Sequence, residues 1–131
     1  MIKMTSEFIS KVNIFLEING KSRITCQLKR HLSPRTVGLI VRSMPLTGNA
    51  HYIGKSILYM PTKINSGIER KKTDFSKGDI AYLPTNGSIC FYLDNISNGQ
   101  TMTPIGQLVS DFQNLKELKL GDILTIYSGT A

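Results

Sequence analysis

Near the start of the chain, apolar and polar positions alternate with a period of two. Val12, Ile14, Leu16 and Ile18 alternate with Asn13, Phe15 and Glu17, the pattern of a strand with one face in a core. Asn19-Gly20 follows, and Ile24, Cys26 and Leu28 then alternate with Thr25, Gln27 and Lys29. An Asn-Gly pair between two alternating runs predicts a β-hairpin, because both residues tolerate the positive φ that a tight hairpin turn demands.

The period then lengthens. Ser33-Pro34 predicts a helix start, with the serine hydroxyl free to accept an orphan N–H and the proline at the position where a missing donor costs nothing. Val37, Ile40, Val41 and Met44 form one apolar stripe, and Pro45 stops the helix. A single helix of this length suits one open end of a barrel. Residues 48–60 return to strand, with Ile57 and Tyr59 on one face and Leu58 and Met60 on the other, so burial on both sides is expected. Residues 61–78 are polar and Lys-rich, and read as a long surface excursion with a short strand at 64–68. Loops of this length are often functional or mobile.

Residues 78–94, Gly-Asp-Ile-Ala-Tyr-Leu-Pro-Thr-Asn-Gly-Ser-Ile-Cys-Phe-Tyr-Leu-Asp, read as two short strands joined through a Pro/Asn/Gly turn. After an exposed loop at 95–100, residues 104–109 predict another strand. Ser110 is the next expected N-cap, with Phe112, Leu115 and Leu118 at helical spacing, Gly121 as the stop and a last strand at 123–127. The expected fold class is therefore mainly β, a closed barrel of about eight strands with two short helices and no internal repeat. Closure removes the sheet edges that invite aggregation. Because side chains fill the interior of so small a barrel, any site is expected on the outer wall or at a mouth.

With 131 residues the chain is expected to form one domain, able to bury about two-thirds of its unfolded surface without a staple. Residues 1–10 have neither a basic n-region nor a continuous apolar run, so no signal peptide is expected there. No stretch approaches the roughly 20 apolar residues of a membrane span. These readings predict a soluble, cytoplasmic protein. Cys26 and Cys90 both lie within apolar strand patterns, without metal or redox spacing. Buried thiols are expected, with a disulfide as the alternative should the two strands adjoin.

Charge adds one asymmetry. The chain carries 16 Lys and Arg against 9 Asp and Glu, a net +7, and residues 1–77 hold 14 of those cations against 4 acids. Lys29-Arg30-His31 with Arg35, and Arg70-Lys71-Lys72, are the two basic clusters, a pattern that can mark a nucleic-acid or acidic-partner surface. Neither contains a Phe, Tyr or Trp side chain to stack a base, so a solvated, solubilising face is the competing account. No Ser/His/Asp set, paired carboxylates or metal cluster can be read from the spacing, and His31 and His51 are isolated from each other. Neither a cofactor nor a metal is expected.

The run Thr85, Asn86, Gly87, Ser88 and Phe91 resembles the core of the cyclophilin fold. The wider order of Gly54, Gly78-Asp79 with Tyr82 and Pro84, Gly87, Cys90, Phe91, Pro104 and Ile105-Gly106 resembles that of small prokaryotic proteins with a cyclophilin-like barrel, whose function is poorly assigned. The resemblance covers nearly the whole chain. Ile53 stands where that family has Trp, and Lys55 or Ser56 where it has Glu. Against the peptidyl-prolyl isomerases themselves, laying His51 on the histidine before the groove arginine puts Tyr52 at the arginine position and Ile89 at the groove glutamine, while Phe91 matches the aromatic floor. A phenol offers one neutral donor where the enzymes have a charged fork.

The resemblance would place His51, Tyr52, Lys55, Tyr59, Tyr82 and Phe91 along one barrel wall, either as ordinary packing or as a shallow groove for a peptide or small anionic ligand. The leading expectation is thus a binding module without strong catalysis. Two alternatives stay open: an isomerase with a rearranged site in which Lys55 or Tyr52 replaces the arginine, and a nucleic-acid binder using Lys29, Arg30, Arg35 and Arg70 to Lys72.

Overall fold

The N-terminal hairpin forms as expected, with β1 (Lys11–Ile18) and β2 (Ser22–Lys29) paired from Lys11↔Lys29 to Ile18↔Ser22. Asn19 and Gly20 both adopt positive φ between them, and the Lys21 N–H closes the turn on the Ile18 carbonyl at 2.9 Å. The computed structural model describes residues 10–128, so the reading of residues 1–10 falls, except for Ser10, outside the described residues.

The remaining elements are α1 (Pro34–Ser43), β3 (Leu46–Asn49), β4 (His51–Ile53), β5 (Ile57–Pro61), β6 (Asp79–Leu83), β7 (Ser88–Tyr92), β8 (Thr103–Leu108), a 3-10 turn (Gln113–Glu117) and β9 (Ile123–Ser128). All nine strands belong to one antiparallel sheet in the order β3-β9-β1-β2-β8-β6-β7-β5-β4. The sheet curls until β3 lies against β5, giving a nearly closed barrel. Gly48 marks the seam, because a Cβ there would come within 2.8 Å of the Pro61 carbonyl oxygen.

The expectations at 48–60, at 64–68 and for the second helix need correction. The run at 48–60 is not one strand: β3 ends at Asn49 and pairs with β9, while β4 and β5 form their own hairpin around Gly54-Lys55-Ser56. Among the described residues the strand count is therefore nine. The second helix is only the five-residue 3-10 turn, and Ser110 does not cap it; the Ser110 hydroxyl instead accepts the Thr25 N–H at 2.9 Å. Among the described residues α1 is the one α-helix.

Alternation sorts the side chains into two cores. Leu16, Cys26, Leu58, Met60, Tyr82 and Phe91 fill the barrel together with Val37 and Ile40 from α1 and Leu115 from the 3-10 turn. Ile57, Ala81, Leu83, Cys90 and Tyr92 point the other way, into a second cluster with Phe75 and Met102. As expected, β5 is buried on both faces.

The segment 62–78 is responsible for that second core. No strand forms at 64–68; its backbone instead pairs later, through the reciprocal bonds Lys72–Met102 (3.0 and 2.9 Å) and Phe75–Ile96 (2.9 Å each). Phe75 stacks on Tyr92 with ring centres 4.4 Å apart, so the chain's own excursion covers this part of the outer wall. Farther back, the buried Tyr82 hydroxyl donates to the Ile64 carbonyl (2.7 Å) and accepts the Ser66 N–H (3.0 Å). A segment with few sequence signals of structure is thus fastened at several points.

Cys26 lies inside the barrel and Cys90 in the outer cluster, on strands separated by β8 and β6. Both are free, so the disulfide alternative is not realised. Burial pushes each thiol up to about 12, against a small downward pull on Cys26 from the Leu16 backbone. No helix among the described residues is long and apolar enough to cross a membrane.

Candidate functional site

The six side chains singled out from the sequence do not share one wall. Tyr82 and Phe91 face the barrel interior and are fully buried. His51 and Tyr59 are register partners on the outer face, where their rings stack with centres 5.2 Å apart and planes 22° from parallel. Tyr52 and Lys55 line a third place, a cleft of about 500 Å³ between the β4–β5 turn and the 3-10 turn, completed by Gly54, Asp94 and Lys116.

Tyr52 is the best defined member of that cleft. Its ring packs against the barrel core, and its hydroxyl donates to the Leu115 carbonyl while accepting the Leu118 N–H at 3.0 Å. Those two backbone groups are three residues apart, the spacing of a direct 3-10 hydrogen bond. The phenol therefore sits where the next bond of the turn would form, and Leu118 leaves the helix with ψ 154°. Burial raises the Tyr52 pKa; the Leu118 N–H pulls it down and the Asp122 charge adds a further upward push.

Around this ring the charges are solvent-accessible. Lys55 is exposed on the hairpin turn, and Lys116 pairs with Asp94 at 3.8 Å, a length and exposure at which an ion pair contributes little to stability. Asp94 and Lys116 were not singled out from the sequence. Each is an isolated charge outside any motif, and only the fold brings residues after β7 and within the 3-10 turn to the β4–β5 hairpin.

The two basic clusters are partly redistributed. Arg30 and Arg42 both reach over Gly38 of α1, and the Arg35 charge lies beside Glu69. Lys29, His31 and Lys72, by contrast, line one small cleft with Phe75, Asp79 and Gln107. Among the described residues no group of three or more His, Cys, Asp or Glu is placed to hold a metal ion.

Comparison with solved structures places this barrel among known ones. The solution structure of a hypothetical protein from Archaeoglobus fulgidus superposes with a TM-score of 0.74 at 18% identity, covering 92% of this chain and 96% of that one. McbB in complex with tryptophan superposes with a TM-score of 0.73 at 14% identity, covering 90% of this chain but 45% of that one. At such identities the likeness is one of fold. No curated protein matches the chain in sequence. The family model described as cyclophilin-like matches residues 11–127, nearly the whole of the barrel, and the chain belongs to the cyclophilin-like family.

Proposed function

We propose that this barrel is a binding module without strong catalysis, taking a small carboxylate-bearing ligand in the cleft beside Tyr52. The observation that carries the reading is the convergence of Lys55 and Lys116 on a cleft of about 500 Å³ floored by an aromatic ring. Small-ligand sites are concave, with a few placed polar or charged groups that fix the ligand's orientation, a role open here to Lys55, Lys116 and Asp94. Asp94, 3.8 Å from Lys116, supplies the opposite charge, so a zwitterion could place its carboxylate on the lysines and its ammonium on Asp94.

Catalysis of prolyl isomerisation has less to work with. With His51 laid on the histidine before the groove arginine, Tyr52 takes the arginine position, and its one O–H is already donated to Leu115. A phenol has no second proton to offer a prolyl amide.

McbB, which shares the fold, is described in complex with tryptophan, a small carboxylate with an aromatic body, and tryptophan is the first probe. Titration of the isotopically labelled protein with tryptophan, followed by amide shifts, should move Gly54, Lys55 and Lys116 together and saturate. Lys55→Ala and Lys116→Ala should each weaken the binding by about tenfold, the worth of one charge-assisted contact. Shifts scattered over the surface, or binding indifferent to both substitutions, would reject the site.

A further inference from the structure

We infer that the small cleft between the end of β2 and the 62–78 excursion is a second binding site, built for a single phosphate group. It is separate from the cleft beside Tyr52 and shares no residue with it. Lys29 and Lys72, from the two basic clusters far apart in sequence, both line it, together with His31, Phe75 and Pro104.

Both lysines are held in place without being neutralised. The Lys29 ammonium donates to the side-chain oxygen of Gln107 at 2.8 Å, a neutral acceptor. The Lys72 ammonium lies 5.3 Å from the centre of the Phe75 ring, and its backbone is locked by the reciprocal pair with Met102. Neither ammonium is within ion-pairing distance of a carboxylate among the described residues, where Lys116–Asp94 is the one ion pair. Since an ammonium has three donors, each lysine keeps N–H groups to spare.

Asp79 is the acid in the lining, and it is occupied. One carboxylate oxygen accepts the Ser76 N–H at 2.8 Å and the other the Gln107 amide at 3.4 Å. Gln107 thus stands between Lys29 and Asp79, taking a hydrogen bond from one and giving one to the other, and keeps them from pairing. Pre-positioned cations that no carboxylate satisfies favour an oxyanion, and lysine suits phosphate as a point charge.

Size decides against an extended ligand. The cleft holds about 130 Å³, roughly a quarter of the cleft at Tyr52, and Phe75 in its lining is only 4% exposed. That leaves the single His31 ring and too little room for the run of stacked bases that single-stranded nucleic acid requires. The ligand chemistry is therefore one terminal phosphate, free or carried as a phosphomonoester.

The test is an amide-shift titration with inorganic phosphate, set against sodium acetate and sodium chloride at matched ionic strength, with an oligothymidylate as a separate arm. Phosphate should saturate shifts at Lys72, Met102 and Gln107, and acetate should not. Lys72→Ala should lower the affinity at least about tenfold, and Gln107→Glu should do the same by giving Lys29 a carboxylate partner while leaving every lysine present. Lys21→Ala, on the exposed β1–β2 turn and lining neither cleft, should leave phosphate binding unchanged. Phosphate binding unaffected by Lys72→Ala and Gln107→Glu would overturn the assignment, as would equal binding of acetate. So would an oligothymidylate that binds with a steep salt dependence while phosphate saturates no site.

Discussion

Glu69 caps a helix through Thr36, 33 residues away in sequence: its carboxylate accepts the Thr36 N–H at 2.8 Å and the Thr36 hydroxyl at 2.9 Å. The other carboxylate oxygen accepts the Arg35 N–H at 3.0 Å. Ser33 occupies the N-cap position but turns its hydroxyl to the Pro104 carbonyl at 2.8 Å, so the work expected of a local serine is done by an acid from the 62–78 excursion. An anion on the first turn also meets the positive end of the helix dipole.

Loss of that carboxylate should loosen both α1 and the excursion. Partial desolvation pushes the Glu69 carboxyl upward, but the N–H groups of Arg35 and Thr36, the Thr36 hydroxyl and the Arg35 charge together hold it below its ordinary 4.5. A lowered folded value means the contribution is present above pH 4.5 and disappears as the pH falls through the folded pKa. Glu69→Ala should cost about 1 kcal/mol at neutral pH, in the range of a lost cap, and less at high salt. Denaturant titrations of both proteins should converge below pH 4.5; a gap that stays constant with pH would remove the charge from the account.

Tyr82→Phe tests the other fastening. The substitution leaves the ring in the core but strands the Ile64 carbonyl and the Ser66 N–H, both of which bond to the buried hydroxyl. Unsatisfied buried groups cost about 1–3 kcal/mol. Hydrogen exchange should quicken at Ser66 well before it does in β1 and β2. If exchange rises uniformly instead, the hydroxyl stabilises the whole barrel rather than the excursion.

These fastenings explain what could be read from the sequence. The β1–β2 hairpin and the extent of α1 were legible because each is set by local pattern, with Asn19-Gly20 and Pro45 as punctuation. The strand pair β6–β7 was legible for the same reason. The excursion was not, since Ile64, Phe75 and Glu69 act through partners on β6, β7 and α1 that no local period reveals. The same limit applies to the site. Tyr52 and Lys55 could be singled out, but Lys116 and Asp94 join them only through the fold; Tyr82 and Phe91 share the inward face with Tyr52 but lie fully buried in the barrel, and alternation puts His51 and Tyr59 on the opposite face.

Two glycines should respond to alanine with opposite signs. At Gly38, inside α1, a Cβ would meet the movable end of Arg42 at 3.2 Å, so Gly38→Ala should gain about 0.5–1 kcal/mol of helix stability. At Gly106 a Cβ would lie 2.1 Å from the Gln27 carbonyl oxygen and 2.9 Å from the Leu28 Cα, where β8 pairs antiparallel with β2 and Gly106 is the partner of Leu28. Gly106→Ala should therefore cost about 3 kcal/mol or more. Thermal melts of the pair decide it, and a Gly106→Ala protein as stable as the parent would mean that the two strands part easily.

Tyr52 carries the sharpest prediction about chemistry. Rotation about a prolyl bond faces a barrier of about 18–20 kcal/mol, and lowering it calls for a donor aimed at the prolyl amide. The Tyr52 hydroxyl is spent on Leu115 and Leu118, so catalytic amounts of the protein should leave cis/trans exchange of an Ala-Pro peptide at its uncatalysed rate of tens to hundreds of seconds. Tyr52→Phe should leave that rate equally untouched, while changing the Leu118 amide shift, because removing the phenol oxygen frees the Leu118 N–H to bond the Leu115 carbonyl directly. Exchange peaks that appear with the parent protein and vanish in Tyr52→Phe would place the phenol on the substrate. Peaks that survive Tyr52→Phe and vanish in Lys55→Ala would move the chemistry to the lysine, the cleft's exposed cation on the β4–β5 turn.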